Sequence, residues 1–517
     1  MTNLTLTYGS SPDSASKQAL PKIYFSDYFG VNRKDIEMYG AIDISLIGDI
    51  PLFIDPFLIF ESDKQDYKLL HQNIIDYLRF LKIMAPEAIS SAGKRKAWFY
   101  FSEVEQNWLG FSNSSNRGAG LGEKFSQSLS SGLGKILGSV GDEKISSGTH
   151  LEKLCLLSEG IGRDRISDLT VNLIKGYLAE YTQSFAERYI EPNLLRDIVV
   201  NRANFDYRTL RWKPKVYKLP YYLEQEDYVL LTPSDMLTKD DTLINSSSFH
   251  SALSTLPNSI DNEQQRETIN SYINSIMPEE PTLEEKRQVY RKAAKEYPVL
   301  IDIFIKQQEE TGEKAISVSA AKVQYAEEIF IDNAKYAMAE LTAKTSFYDP
   351  ECKDKGNSFE EALRRVGILK QFIEDNDGYR CFYDGSGNRV HNESELQRLF
   401  KLIWLAHGNI YDINPETNHG RGPVDFTISY GANDKTYVEF KLASNSKLEQ
   451  NLSKQIETYQ KADIATLASK SIKVIMYFTQ SEYTNTKSIL NSLHINRSRG
   501  IILIDARNDN KPTGSNA

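Results

Sequence analysis

Two runs of alternating residues constrain this chain more than any other feature. Gly420-Arg-Gly-Pro-Val-Asp-Phe-Thr-Ile-Ser429 and Lys435-Thr-Tyr-Val-Glu-Phe-Lys-Leu442 alternate with period two, and Gly431-Ala-Asn-Asp434 lies between them. A period of two sends successive side chains to opposite faces of a strand, and Gly, Asn and Asp supply the backbone angles of a tight turn. The pattern predicts an antiparallel hairpin. On its first strand Val424, Phe426 and Ile428 share one face and Asp425 takes the other. On its second strand Val438, Phe440 and Leu442 share a face, with Glu439 and Lys441 opposite. A turn centred near Asn433 sets Asp425 across from about Glu439 to Lys441. Two carboxylates and a lysine then gather on one side of a hairpin whose other side is core.

That grouping suits hard divalent cations, which take carboxylate oxygens together with water and substrate phosphate oxygens. A bound cation polarises a scissile phosphate and lowers the pKa of a bound water. A neighbouring lysine can orient or deprotonate that water and offset charge in the transition state. Two flanking segments have helical spacing. In His391 to Trp404 the apolar stripe is Leu396, Leu399, Phe400, Ile403 and Trp404, with Glu393 on its edge and Glu395 turned away. After the hairpin, Leu448, Leu452, Ile456 and Tyr459 form a second stripe, edged by Gln455.

Glu393, Asp425, Glu439-Phe440-Lys441 and Gln455-x-x-x-Tyr459 together resemble the PD-(D/E)XK nuclease superfamily, of restriction-endonuclease-like fold, over roughly Ser358 to Arg507. The resemblance implies an αβββαβ core in which Ile472 to Phe478 and Ile501 to Asp505 complete the sheet. It implies Mg²⁺ or Mn²⁺ held by Glu393, Asp425, Glu439 and the Phe440 carbonyl, with Lys441 positioning the attacking water and Gln455 steadying the site. The sequence departs from the motif in one respect, since Val424 separates Pro423 from Asp425. Around the site, Arg421, Lys447 and Lys454 are candidate nucleic-acid contacts; His419 and Arg421 fit a turn equally well, and solvated helix lysines are the ordinary reading of Lys447, Lys454 and Lys461.

The rest of the chain is less specific. At 517 residues, 40% hydrophobic and 25% charged, it has the composition of a globular protein of two to four domains. Three scattered cysteines argue against a disulfide framework and a cysteine-built zinc site. A net charge of -9 weighs against a broad nucleic-acid surface but leaves room for a local basic cleft. The N-terminal segment shows no basic-then-apolar signal pattern, and the apolar run Ile42 to Phe60 is broken by Asp43, Asp49, Pro51, Asp55 and Pro56, so no membrane span is expected.

Pro21 to Phe60 reads as strand-rich; Asp66 to Ile83 and Ile166 to Tyr189 read as helices, the latter capped by Ser167 or Asp168. Asp197 to Val200 and Tyr228 to Thr232 read as short strands. The Gly/Ser-rich Gly110 to Gly148 contains no GxxxxGK[ST] and reads as a loop. Asp49 and Asp55 are possible site residues that nothing else in the sequence joins to a partner. Asn262 to Ala343 is helical and charge-rich, and Asp349 to Asn357 is a linker. Beyond it come a helix at Ser358 to Glu374, with Ser358 and Glu361 as a capping box, and a hairpin around Gly385 to Asn388.

These readings give an α/β chain, α+β overall: a mixed α/β sensor or regulatory region over 1–257, a helical connecting or oligomerisation segment over 258–349, and a nuclease domain over 350–517. The expected function is cytoplasmic, metal-dependent hydrolysis of DNA by a homo-oligomeric antiphage defence or restriction effector with a possible defence-system partner protein. A DNA-binding module without catalysis and an RNA-cleaving nuclease remain alternatives.

Overall fold

A computed structural model of the chain describes residues 22–110, 122, 126, 129, 145–157, 163–239, 242–344, 357–383, 387–389, 393, 396–397, 400, 404, 411–418, 423–430, 434–453, 470–496 and 498–511. The chain falls into two units, Ile23–Asp332 and Asn333–Ala517 together with the N-terminal segment. The helical segment expected to stand apart is thus, up to Asp332, part of the first unit. Most of the Gly/Ser-rich stretch and the linker before Asn357 lie outside the described residues. Among those described, no helix is long and apolar enough to cross a membrane.

The first unit is built on two long helices, Gln65–Ser90 and Arg163–Tyr189, and five strands: β1 (Leu52–Ile54), β2 (Leu195–Asp206), β3 (Arg211–Tyr222), β4 (Asp227–Tyr228) and β5 (Leu237–Lys239). β2, β3 and β4 form an antiparallel sheet, and β1 pairs with β5. The helix Arg163–Tyr189 packs on β2, β3 and β1 through Ile166, Leu169, Ile174, Leu178 and Phe185, all buried. It begins at Arg163, so Ser167 and Asp168 lie inside it and cap nothing. The Ser167 hydroxyl instead accepts from the Ile54 N–H at 3.0 Å, tying the helix to β1. Burial, with the charges of Asp164, Glu103 and Asp49, pushes the Asp168 carboxyl up to about 8.

The strand-rich reading of Pro21 to Phe60 is corrected. The segment holds the helices Phe25–Phe29, Arg33–Tyr39 and Pro56–Glu61 and only the three residues of β1. Ile42, Ile44 and Leu46 alternate and are buried, as strand residues would be, yet the flanking bridges Tyr24↔Ser45 and Ala41↔Pro233 are isolated. Asp55 has a structural task. Its Oδ1 caps the helix starting at Pro56 by accepting from the Phe57 N–H, and its Oδ2 accepts from the Leu243 N–H. The short strand expected at Asp197 to Val200 is part of a hairpin of two 12-residue strands.

Two expectations for stability follow from this unit. A Cβ at Gly176, inside the long helix, would run into the backbone carbonyl oxygen of Ala203 on β2. Alanine ordinarily favours a helix by about 1 kcal/mol over glycine, but an immovable backbone neighbour reverses the sign. Gly176→Ala is expected to lower stability in urea unfolding by about 1–3 kcal/mol, and a stabilised variant would contradict this close packing.

The second concerns His71, whose Nε2 lies 3.1 Å from the Thr149 carbonyl and whose ring stands 6.3 Å from that of buried His150. Burial and the nearby His150 pull His71 down to about 4, against the opposing Thr149 contact. The folded state therefore binds this proton less readily than the unfolded chain. The contribution of neutral His71 is complete above the ordinary value and is lost as pH falls toward 4. Between pH 6.5 and 5 the full chain is expected to lose about 2 kcal/mol more than its His71→Gln variant. Parallel pH profiles for the two proteins would refute this.

The second unit begins with the helix Asn333–Lys344, followed among the described residues by the helix Ser358–Asp375, whose buried face is Ala362, Val366, Leu369, Phe372 and Ile373. Its N-cap is Asn357, which accepts from the Glu360 N–H. The expected capping box is absent because both its members are engaged elsewhere: the Ser358 hydroxyl with Asp434 and Thr436, and Glu361 with Arg364 and Arg365. The hairpin expected around Gly385 is represented among the described residues by one bridge, Tyr383↔Arg389, following a short 3-10 turn. Then come β6 (Asp412–Asn418), β7 (Pro423–Tyr430), β8 (Asp434–Leu442), helical residues 448–453, β9 (Ser471–Tyr477), the helix Gln480–Ser492 and β10 (Ile501–Asp505). With the helical residues among 393–400 placed before β6, the elements from Ser358 run ααβββαβ with a further helix and strand.

The sheet order is β10-β9-β8-β7-β6. β6, β7 and β8 are antiparallel neighbours, whereas β8, β9 and β10 run parallel. β8 is therefore central and covered on both faces. The helix Ser358–Asp375 packs across β7 to β10, and the opposite face is closed in part by Leu448, Leu452, Ile475, Tyr477 and Leu490.

Candidate active site

The hairpin is present in the expected sense, with Phe426 paired to Val438 and Ile428 to Thr436. Phe426, Ile428, Val438, Phe440 and Leu442 are buried on the core side. Phe400, from the helical residues after Glu393, packs between the rings of Phe440 at 4.7 Å and Phe426 at 5.2 Å. This aromatic cluster fixes the two strands and the helix relative to one another, so the polar residues one position away inherit a defined geometry.

Beyond the Phe426↔Val438 pair the ladder between β7 and β8 ends, while β7 stays paired with β6 as far as Pro423. The N–H and C=O of one strand residue point to the same side, so Phe440 presents both groups to the gap that β7 leaves. Side chains take them up: the Phe440 N–H donates to Asp425 Oδ2 at 2.6 Å, and the Phe440 carbonyl accepts from Lys441 Nζ at 2.9 Å. Lys441 Nζ also donates to Glu393 Oε2 at 2.9 Å. Glu393 is the helix residue placed on the inward edge by its spacing from Leu396, Phe400 and Trp404, all three buried.

The constellation is well covered. Exposure of the Lys441 and Glu393 side chains is 17% and 23%, and Glu439 is buried at 3%. Burial pushes the Asp425 carboxyl up to about 6, with Glu439 and Glu393 adding to the rise and Lys441 and the Phe440 N–H opposing it. Burial alone would lower Lys441, but the surrounding Asp425, Glu393 and Glu439 outweigh it and raise it.

Two members escaped the sequence reading. Lys473 on β9 stands beside Glu439 in the parallel register and donates to its Oε2 at 3.4 Å, with both side chains under 10% exposed. Burial draws Lys473 below its ordinary value despite Glu439. Its signal was a lone charge inside the apolar Ile472 to Phe478. Asn445, in the turn after β8, donates to Glu393 Oε1 at 3.0 Å. Glu393 is thus gripped on both oxygens.

Other candidates are not brought in. Lys447 is exposed, and among the described residues its side chain makes no contact with the site. Arg421, Lys454, Gln455 and Tyr459, with His419, lie outside the described residues.

Among the described residues no three His, Cys, Asp or Glu side chains already close on one point as a metal cage. The donor set nevertheless fits a hard cation. It is all oxygen, from Glu393, Asp425, Glu439 and the Phe440 carbonyl, and the Lys441 ammonium already sits between two of those oxygens. The junction thus already accommodates a cation-sized positive charge.

Comparison with known proteins places two regions of the chain. Residues 30–245 match a family described as a domain of unknown function (DUF8370), and residues 358–480 match another described in the same way (DUF8371). No curated protein matches the chain, and no solved structure does. Glu393, Asp425, Glu439, Lys441, Asn445 and Lys473 all fall within the second matched region.

Proposed function

We propose that the second unit is a metal-dependent nuclease of the PD-(D/E)XK type that hydrolyses phosphodiester bonds of DNA, acting as a restriction or antiphage defence effector. The observation that supports this best is the junction where β7 leaves β8, where Asp425 and Lys441 both bond the backbone of Phe440 and Lys441 reaches Glu393. A structural ion pair needs no such convergence of carboxylates, carbonyl and ammonium on one backbone gap.

Glu393, Asp425, Glu439 and the Phe440 carbonyl would hold Mg²⁺ or Mn²⁺. When bound, the metal supplies Lewis-acid activation of the scissile phosphate and of a water. The chain's own residues do the rest. Lys441 orients the attacking water and offsets negative charge as it develops on the phosphate oxygens. Asn445 positions Glu393, and Lys473 balances the buried charge of Glu439. Gln455 and the basic side chains of Arg421 and Lys454 extend the same reading to substrate.

The test is cleavage of linear, circular and single-stranded DNA, with RNA in parallel, in Mg²⁺ and in excess chelator. DNA cleavage that disappears with chelation is the expected result. Cleavage of RNA alone would reassign the substrate, and binding without cleavage in any divalent cation would make the unit a recognition module.

A further inference from the structure

Within the first unit, residues between 246 and 291 line a half-open cavity of about 790 Å³, within the usual range for small-molecule sites. The helix Leu283–Glu296 presents Lys286, Arg287, Tyr290 and Arg291 to it. These positions are spaced i, i+1, i+4 and i+5, one face of a helix. The helix Ser246–Ala252 supplies the facing wall, where Ser247 and Ser251 contribute hydroxyls and His250 a ring. Met277 and Pro281 close an apolar side next to Tyr290.

The cationic wall is under-neutralised. Arg287 has Glu284 at 3.8 Å, while Lys286 and Arg291 have no carboxylate partner among the described residues. Arg291 Nε donates to His250 Nε2 at 2.8 Å. That bond fixes the guanidinium against the cavity while leaving its positive charge unpaired. Three cations and a row of hydroxyls on a chain whose overall charge is -9 form a local anion site, and guanidinium groups favour phosphate oxygens. An adjoining tyrosine and apolar wall offer a flat surface for a planar ring.

We propose that this cavity binds a nucleoside polyphosphate, with its phosphates on Lys286, Arg287 and Arg291 and its base against Tyr290. The inference does not depend on the nuclease reading, because none of these residues belongs to the Glu393–Asp425–Lys441 constellation.

Calorimetric titration of the full chain in EDTA, which removes any metal-dependent phosphate binding elsewhere, tests it. The probes are the four common ribonucleoside triphosphates, their nucleosides and inorganic pyrophosphate. At least one triphosphate is expected to bind at least about tenfold more tightly than pyrophosphate or its own nucleoside. The charge reversal Lys286→Glu/Arg287→Glu, at two exposed positions, is expected to weaken it at least about tenfold with an unchanged unfolding midpoint. Tyr290→Ala is expected to weaken the triphosphate and leave pyrophosphate unaffected. The proposal is overturned if no triphosphate binds at about 1 mM, if charge reversal leaves affinity intact, or if pyrophosphate equals the nucleotides.

Discussion

Lys441→Ala is expected to slow DNA cleavage by about 10²–10³-fold at saturating Mg²⁺, measured in single turnover. Among the described residues, Lys441 is the cation that touches both the Phe440 carbonyl and Glu393. On the proposed mechanism its removal takes away the charge that acts on the reacting phosphate, and it also leaves Glu393 without the ammonium it accepts from. The size of the effect follows from where the charge acts: in a covered site an ammonium is worth far more than on a wetted surface. Lys441→Arg keeps the charge but spreads it over a planar fork, which does not fit the compact position between two oxygens, so it is expected to recover only a minor part of the rate. A Lys441→Ala protein that cleaves as fast as the wild type would remove Lys441 from the mechanism.

Lys473→Met is expected to be the most damaging single change for folding in the second unit, at about 3 kcal/mol or more in chemical unfolding. Glu439 is buried, and losing Lys473 removes the cation that donates to its carboxylate in the sheet interior. Pairing that change with Glu439→Gln removes both charges, and the double variant should regain most of the lost stability because the two sites are directly coupled. It should not regain cleavage, since Glu439 is a proposed metal ligand. This split separates the two tasks of Glu439. Loss of under about 1 kcal/mol in the single variant would mean that the pair is well solvated, contrary to its burial.

The hairpin and its polar face were legible in the sequence because both signals are local. Alternation fixed which residues share a face, and the turn residues fixed the register to within a position or two. Glu393 was legible for a similar reason, since Leu396, Phe400 and Trp404 define a helical stripe whose edge it occupies. Lys473 was not, because it meets Glu439 through the parallel pairing of β8 with β9, a contact between strands separated by a crossover. Nothing in the alternation of β8 shows that its charged face is also covered. Asn445 looks like any turn asparagine until its partner is known.

In the first unit the long β2–β3 hairpin was hidden by its own irregularity. The register shifts between Val200 and Asn204, with Arg202 at φ 57°, so the period-two pattern breaks midway and only its first part reads as a strand. Ile42 to Leu46 failed in the opposite direction: its apolar residues alternate like a strand's, but its backbone meets only the short stretch around Ile23 and Phe25 and isolated bridges, and the Asp43 side chain between them accepts from Ser26.

The most direct measurement is anomalous diffraction from crystals of the full chain soaked in Mn²⁺. The expected result is an ion with carboxylate oxygens of Asp425 and Glu439 at about 2.0–2.6 Å, and with Lys441 Nζ moved off the Phe440 carbonyl. Crystals that take up Mn²⁺ only elsewhere, with Lys441 still bridging Glu393 and Phe440, would contradict a metal-dependent site at this junction.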